Sequence, residues 1–139
     1  MKGKLLTLLV VAVLGTSLGM SSGWAQGDLA KALVGKWEGD VQFQNKAADS
    51  NRTLIIESVE QKDGKWVATG RFGVTGKGLG KVKIEVDDSS GRLFIRFVTR
   101  TNAIVRLSLI GPKDLTGTLT VPAVRLGEKD DPMRLERKD

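Results

Sequence analysis

The chain has 139 residues, with 22 Lys+Arg against 16 Asp+Glu and a formal net charge of +6. It contains no histidine, cysteine or tyrosine, which excludes His-based triads, cysteine nucleophiles, disulfide frameworks, ordinary zinc sites and His- or Cys-ligated haem. Carboxylates, lysines, arginines and serines remain for chemistry, and no paired acid and base can be named among them, so the expectation is a non-enzymatic protein with no cofactor and no metal site.

Residues 1–25 carry the three parts of a secretory signal: Lys2 and Lys4 at a basic start, the apolar run "LLTLLVVAVLG", and small residues ahead of a cut after Ala25. The apolar run is short for a membrane span and no second one follows. The expectation is a periplasmic or secreted protein with one domain over 26–139, not membrane-spanning once the signal is removed. Its remaining positive charge is scattered along the sequence and reads as solubility. Export argues against nucleic acid as a partner.

"DLAKALV" predicts a short helical turn with Asp28 as N-cap and Leu29, Ala32 and Leu33 on one side. Thereafter the period is two. Lys36–Phe43 points Trp37, Gly39, Val41 and Phe43 one way and its charged residues the other. Arg52–Glu60 is ambiguous, since Leu54, Ile56 and Ser58 compete with Ile55, Glu57 and Val59 for the interior. "KWVATGRFG" sets Trp66, Ala68, Gly70 and Phe72 together, and "KVKIEV" turns Val82, Ile84 and Val86 inward. "RLFIRFV" contributes Leu93, Ile95 and Phe97, and "AIVRLSL" contributes Ala103, Val105, Leu107 and Leu109. "DLTGTLTV" places Leu115, Gly117, Leu119 and Val121 against a row of threonines, and "MRLERK" ends with Met133, Leu135 and Arg137 on one face.

Eight strands, each apolar on one side and polar on the other, predict an antiparallel all-β protein. The joints "QKDGK", "DDSSG" and "GPKD" are short and turn-like, and they alternate with joints that are mostly longer, "QNKAADSN", "VTGKGLG" and "PAVRLGEKDD". In an up-and-down meander, alternate joints fall at opposite ends, so this order predicts an eight-stranded barrel with one tight end and one loop-rich mouth. A β-sandwich is the alternative architecture.

"LVGKW", after a short helical turn and at the opening of the first strand, resembles the Gly-X-Trp signature of lipocalins and the wider calycin superfamily. The resemblance implies that Trp37 plugs the closed end of the barrel and that Arg137, on the inward face of the last strand, packs across it. The sequence departs from that family in having no room for a C-terminal helix and no Thr-Asp-Tyr-like motif. Its length is nearer that of avidins, but without tyrosine biotin binding does not carry over.

Other motifs weigh little. "RFGVTGKGLGK" lacks the glycine and Ser/Thr spacing of a phosphate loop and opens no helix. Asp87-Asp88 and Asp130-Asp131 sit in turn-like surroundings without the ligand alternation of a calcium loop. Asn51-Arg52-Thr53 has the form of a glycosylation sequon.

Two surfaces carry functional expectations. Inside, Phe43, Trp66, Phe72 and Phe97 supply aromatic area, while Gly39, Gly70, Gly117, Ala68 and Ala103 either leave space for a small, mostly apolar ligand or serve barrel curvature. Outside, pairing of the fifth and sixth strands sets Phe94 and Ile104 among Arg96 and Arg106, a composition suited to a protein partner. The first expectation is an exported binder of a small apolar molecule; the alternative is an interaction or inhibitor module with a filled barrel.

Overall fold

The computed structural model describes residues 24–43, 50–121 and 129–138. Among the described residues one helix, α1 (Gln26–Leu33), precedes eight strands: β1 (Gly35–Val41), β2 (Asn51–Lys62), β3 (Lys65–Val74), β4 (Gly80–Asp87), β5 (Phe94–Val98), β6 (Ile104–Ile110), β7 (Asp114–Val121) and β8 (Lys129–Arg137). Each strand pairs antiparallel with its sequence neighbours, and β1 also pairs with β8, so the sheet closes in the order β1 to β8. This is the up-and-down barrel that the alternating faces and joint lengths predict, with a short helix on its N-terminal side. Residues 1–23 of the expected signal segment 1–25 lie outside the described residues, as do 44–49 and 122–128 of the two longest joints.

β4 shows the construction most plainly: Val82, Ile84 and Val86 are buried, while Lys81, Lys83, Glu85 and Asp87 are exposed. Trp37, Leu54, Ile56, Ile84, Phe97 and Leu135 are all buried to 1% exposure or less, so the middle of the barrel is solid side chain. An apolar interior of this extent is the main favourable term in closing the sheet.

Three elements differ from their sequence expectation. The helix starts at Gln26 rather than Asp28; Ala25 is the N-cap and makes no side-chain cap bond. Asp28 lies instead in the first turn, where its charge complements the helix dipole. In β2 both competing faces are used in turn. The register with β3 shifts between Ile56 and Ser58, so Leu54 and Ile56 face inward before the bulge and Val59 after it; one extra residue in a strand exchanges its faces. β8 begins at Lys129, four residues before the alternation from Met133, because "KDDP" reads as a loop. Asp130 and Asp131 are therefore strand residues paired with Thr120 and Leu119, not turn residues.

The barrel has two unlike ends. The β2–β3, β4–β5 and β6–β7 turns share one end with α1, which runs directly into β1. The other end is the mouth, where β1, β3, β5 and β7 finish.

Candidate functional site

At the closed end, Trp37 is fully buried and its indole Nε1–H donates to the Leu33 carbonyl, 2.9 Å away, at the end of α1. The Arg137 guanidinium lies over the ring, with Cζ 4.6 Å from the ring centroid. It also donates to the carbonyls of Val34 at 2.9 Å, Lys31 at 3.2 Å and Ala32. These are carbonyls that a helix C-terminus leaves unsatisfied, and a cation is favoured there by the dipole. The first strand, last strand and helix thus meet at one residue. Trp24, which a cut after Ala25 would remove, also packs against the core at this end.

The four interior aromatics do not form one group. Phe72 and Phe97 are in edge-to-face contact, with centroids 5.1 Å apart. Phe43, just past β1, is half-buried at the mouth with the Arg52 guanidinium 5.4 Å from its centroid. Trp66 is the second residue of β3 and pairs with Gln61 and Val86 at the closed end, half-buried and remote from Phe43.

Close strand approach accounts for the in-strand glycines. A Cβ on Gly39 would overlap the Arg134 carbonyl oxygen, and one on Gly117 would overlap that of Arg106. Of the two roles open to these residues, the structure assigns curvature: the absent side chains leave room for neighbouring backbone and not for a ligand.

Space remains at the mouth. A cavity of about 320 Å³ lies among the ends of β1–β3 and β5–β7, with Phe43, Phe72, Ala103 and Leu119 as apolar lining and Arg52, Lys77 and Arg100 as cationic lining. Its volume is at the lower end of the range for small-molecule sites. Its floor is shallow, because Phe97 and the residues below fill the barrel. Arg52, Lys77 and Arg100 each sit in a joint or at a strand end, and nothing in the sequence brings them to one site. Asp131, expected in a turn, is buried and continues the alternation of Met133 and Leu135.

No family model, curated protein or solved structure matches the chain. Geometry therefore has to carry the functional reading.

On the outer wall, Arg96 and Arg106 stand directly opposite one another, Phe94 opposite Ser108, and Val98 opposite Ile104. Arg96 is 3.7 Å from Glu85 and Arg106 donates to the Thr120 hydroxyl at 3.4 Å. Phe94 is 40% exposed and Val98 45%. A concavity of about 760 Å³ is an open groove on the opposite wall lined by Glu38, Asp40, Thr116, Arg134 and Glu136.

The acidic pairs have local roles. Asp87 Oδ1 accepts from the backbone N–H of Ser89 at 2.9 Å and its hydroxyl at 2.7 Å. Those bonds, the backbone one first, hold the Asp87 carboxyl below the usual carboxylate range. Asp130 accepts from the Thr120 hydroxyl, tying β8 to β7. Among the described residues no group of three or more acids is placed to hold a metal ion.

Proposed function

We propose that the protein is an exported, non-enzymatic barrel that binds one small, mostly apolar molecule at its mouth. The supporting observation is the mouth cavity, where apolar Phe43, Phe72, Ala103 and Leu119 meet water beside Arg52, Lys77 and Arg100. Apolar walls with a few placed polar groups are what a small-molecule site needs. The cations favour a ligand with an anionic end, and the filled barrel below restricts it to one compact apolar group. In this reading the chain is a lipocalin-like protein; Gly35, Trp37 and Arg137 at the closed end support that relationship.

Native mass spectrometry of the protein taken from its exported fraction, without refolding, tests the proposal. A bound molecule that leaves on denaturation is expected. Ala103→Phe, which fills the cavity from a lining position, is expected to abolish the bound mass and the uptake of anilinonaphthalene sulfonate while the fold persists. An apo mass together with no probe uptake by the unmodified protein rejects the reading.

A further inference from the structure

We propose that the outer wall of β3–β6, with the adjoining rim of the mouth, docks onto an anionic lipid bilayer surface. The positive charge that looks scattered along the sequence is gathered by the strand register. Arg71 stands directly opposite Lys81, and Arg96 directly opposite Arg106. Like charges directly opposed across strands are destabilising, and this wall carries two such pairs, with one member of each held by an acid, Arg71 by Glu57 at 3.1 Å and Arg96 by Glu85 at 3.7 Å. The β4–β5 pairing runs from Asp87↔Phe94 to Glu85↔Arg96, and the exposed Lys83 and Lys81 precede it on β4. The Arg100 side chain also lies against Gly80, at the start of β4. Exposed Val98 and the half-buried Ile104 opposite it are bordered by Arg96, Arg100 and Arg106, with Lys81 and Lys83 on the neighbouring strand and Glu85 as the counter-charge of Arg96.

The opposite wall is more evenly balanced. Its cations are taken up locally, Lys36 by Glu38 at 3.3 Å, Arg134 by Asp114 at 2.8 Å and Lys138 by Glu136 at 3.5 Å. Among the described residues no acid lies within ion-pair distance of Lys77, Lys81, Lys83, Arg100 or Arg106. The molecule is therefore electrically one-sided, and the positive side adjoins the mouth.

A lipid surface fits this wall better than an acidic protein. The energetic centres of protein interfaces are rich in Trp and Tyr, and their surfaces are depleted of lysine. This wall exposes neither of those aromatics; its exposed apolar residues are Val98 and, nearer the closed end, Phe94. Among the described residues, its cations without an acid partner include Lys77, Lys81 and Lys83 beside Arg100 and Arg106. Long cations around a small apolar contact suit a fluid anionic surface that demands no fixed geometry. The wall lies on the bilayer and not within it, since a spanning barrel presents an apolar outer band and this one presents charges.

The test is sedimentation with vesicles of phosphatidylcholine alone or mixed with phosphatidylglycerol, at low and high salt. Binding is expected with phosphatidylglycerol only, and it is expected to fall as salt rises. Each wall cation contributes roughly fivefold to the partition coefficient. The double variant Lys81→Glu/Arg100→Glu should therefore lose at least about 25-fold. Lys36→Glu/Lys138→Glu, which reverses as many charges on the other wall, should change it by less than about threefold. Any N-terminal leader is common to all variants and cancels in the comparison. Thermal melts confirm that the variants fold, and the milder Lys83→Gln/Arg106→Gln serves if the first double variant does not. The proposal is overturned by equal partition onto neutral and anionic vesicles, by equal losses from the two walls, or by preferential capture on polyglutamate, which would identify an acidic polypeptide as the partner.

Discussion

Arg137→Ala tests the closed end most directly. The substitution removes a guanidinium stacked at 4.6 Å from the Trp37 centroid and leaves the carbonyls of Lys31, Ala32 and Val34 without their common donor. A cation–π contact in a partly desolvated setting contributes about 1–2 kcal/mol. A hydrogen bond from a charged donor contributes about 1.5–3 kcal/mol, but these bonds share one partly exposed group and water replaces some of them, so they do not add fully. A loss of about 3 kcal/mol is expected. The assay is urea unfolding followed by tryptophan fluorescence, with an expected fall in midpoint of about 1.5 M at an m-value of about 2 kcal/mol/M. Arg137→Lys keeps the charge but not the fork, so it should recover less than half of the loss. A cycle with Trp37→Phe isolates the stacking contribution. A loss below about 1 kcal/mol for Arg137→Ala, with the m-value unchanged, would refute the view that this residue ties helix, first strand and last strand together.

Other outcomes follow from the same packing. Trp37→Ala should cost about 3–5 kcal/mol, the range for large aromatics removed from a core, measured in the same urea titration. Gly117→Ala should cost about 3 kcal/mol or prevent folding, because its Cβ meets the Arg106 carbonyl oxygen. Gly27→Ala, with nothing within 4 Å of the new atom in α1, should instead stabilise by about 0.5 kcal/mol. The Asp87 carboxyl is depressed in the folded state, so its contribution is present above the unfolded value and lost as pH falls through the folded one. Carboxyl-detected NMR should show a midpoint below about 3.9, returning toward it in Ser89→Ala; an ordinary midpoint in the unmodified protein contradicts the turn-capping role.

Period-two alternation was enough to read the strands and barrel, because an up-and-down sheet with an apolar interior writes one face into every second residue. Where the period breaks, the reading stalls, as at Glu57 in β2, where one extra residue makes both candidate faces correct on either side of it. Pro132 and its acidic neighbours hid the first half of β8, since their local preference is for loops and only pairing with β7 overrides it. The closed end was legible through Trp37 and Arg137. The mouth was less so: Arg52, Lys77 and Arg100 come from three separate joints or strand ends and meet only when the barrel closes. The aromatic set was grouped by residue type, yet Phe43 and Trp66 lie at opposite ends. Charge segregation was invisible for a similar reason, because Arg96 and Arg106 become neighbours through register and not through sequence.

The seam between β1 and β8 bears on how the molecule is made. The Arg137–Val34 bond spans 103 residues, and Lys138 N–H donates to the Lys36 carbonyl across the same seam. The first strand therefore waits for the last. Until β8 arrives, β1 and β7 each expose a row of unpaired backbone groups, the kind of edge that recruits other chains. Contacts so distant in sequence also form slowly. A chain emerging from its N-terminus is thus an adhesive open sheet through almost all of its synthesis. Loss of the final ten residues should leave it in that condition, prone to aggregate however sound the rest of its sequence.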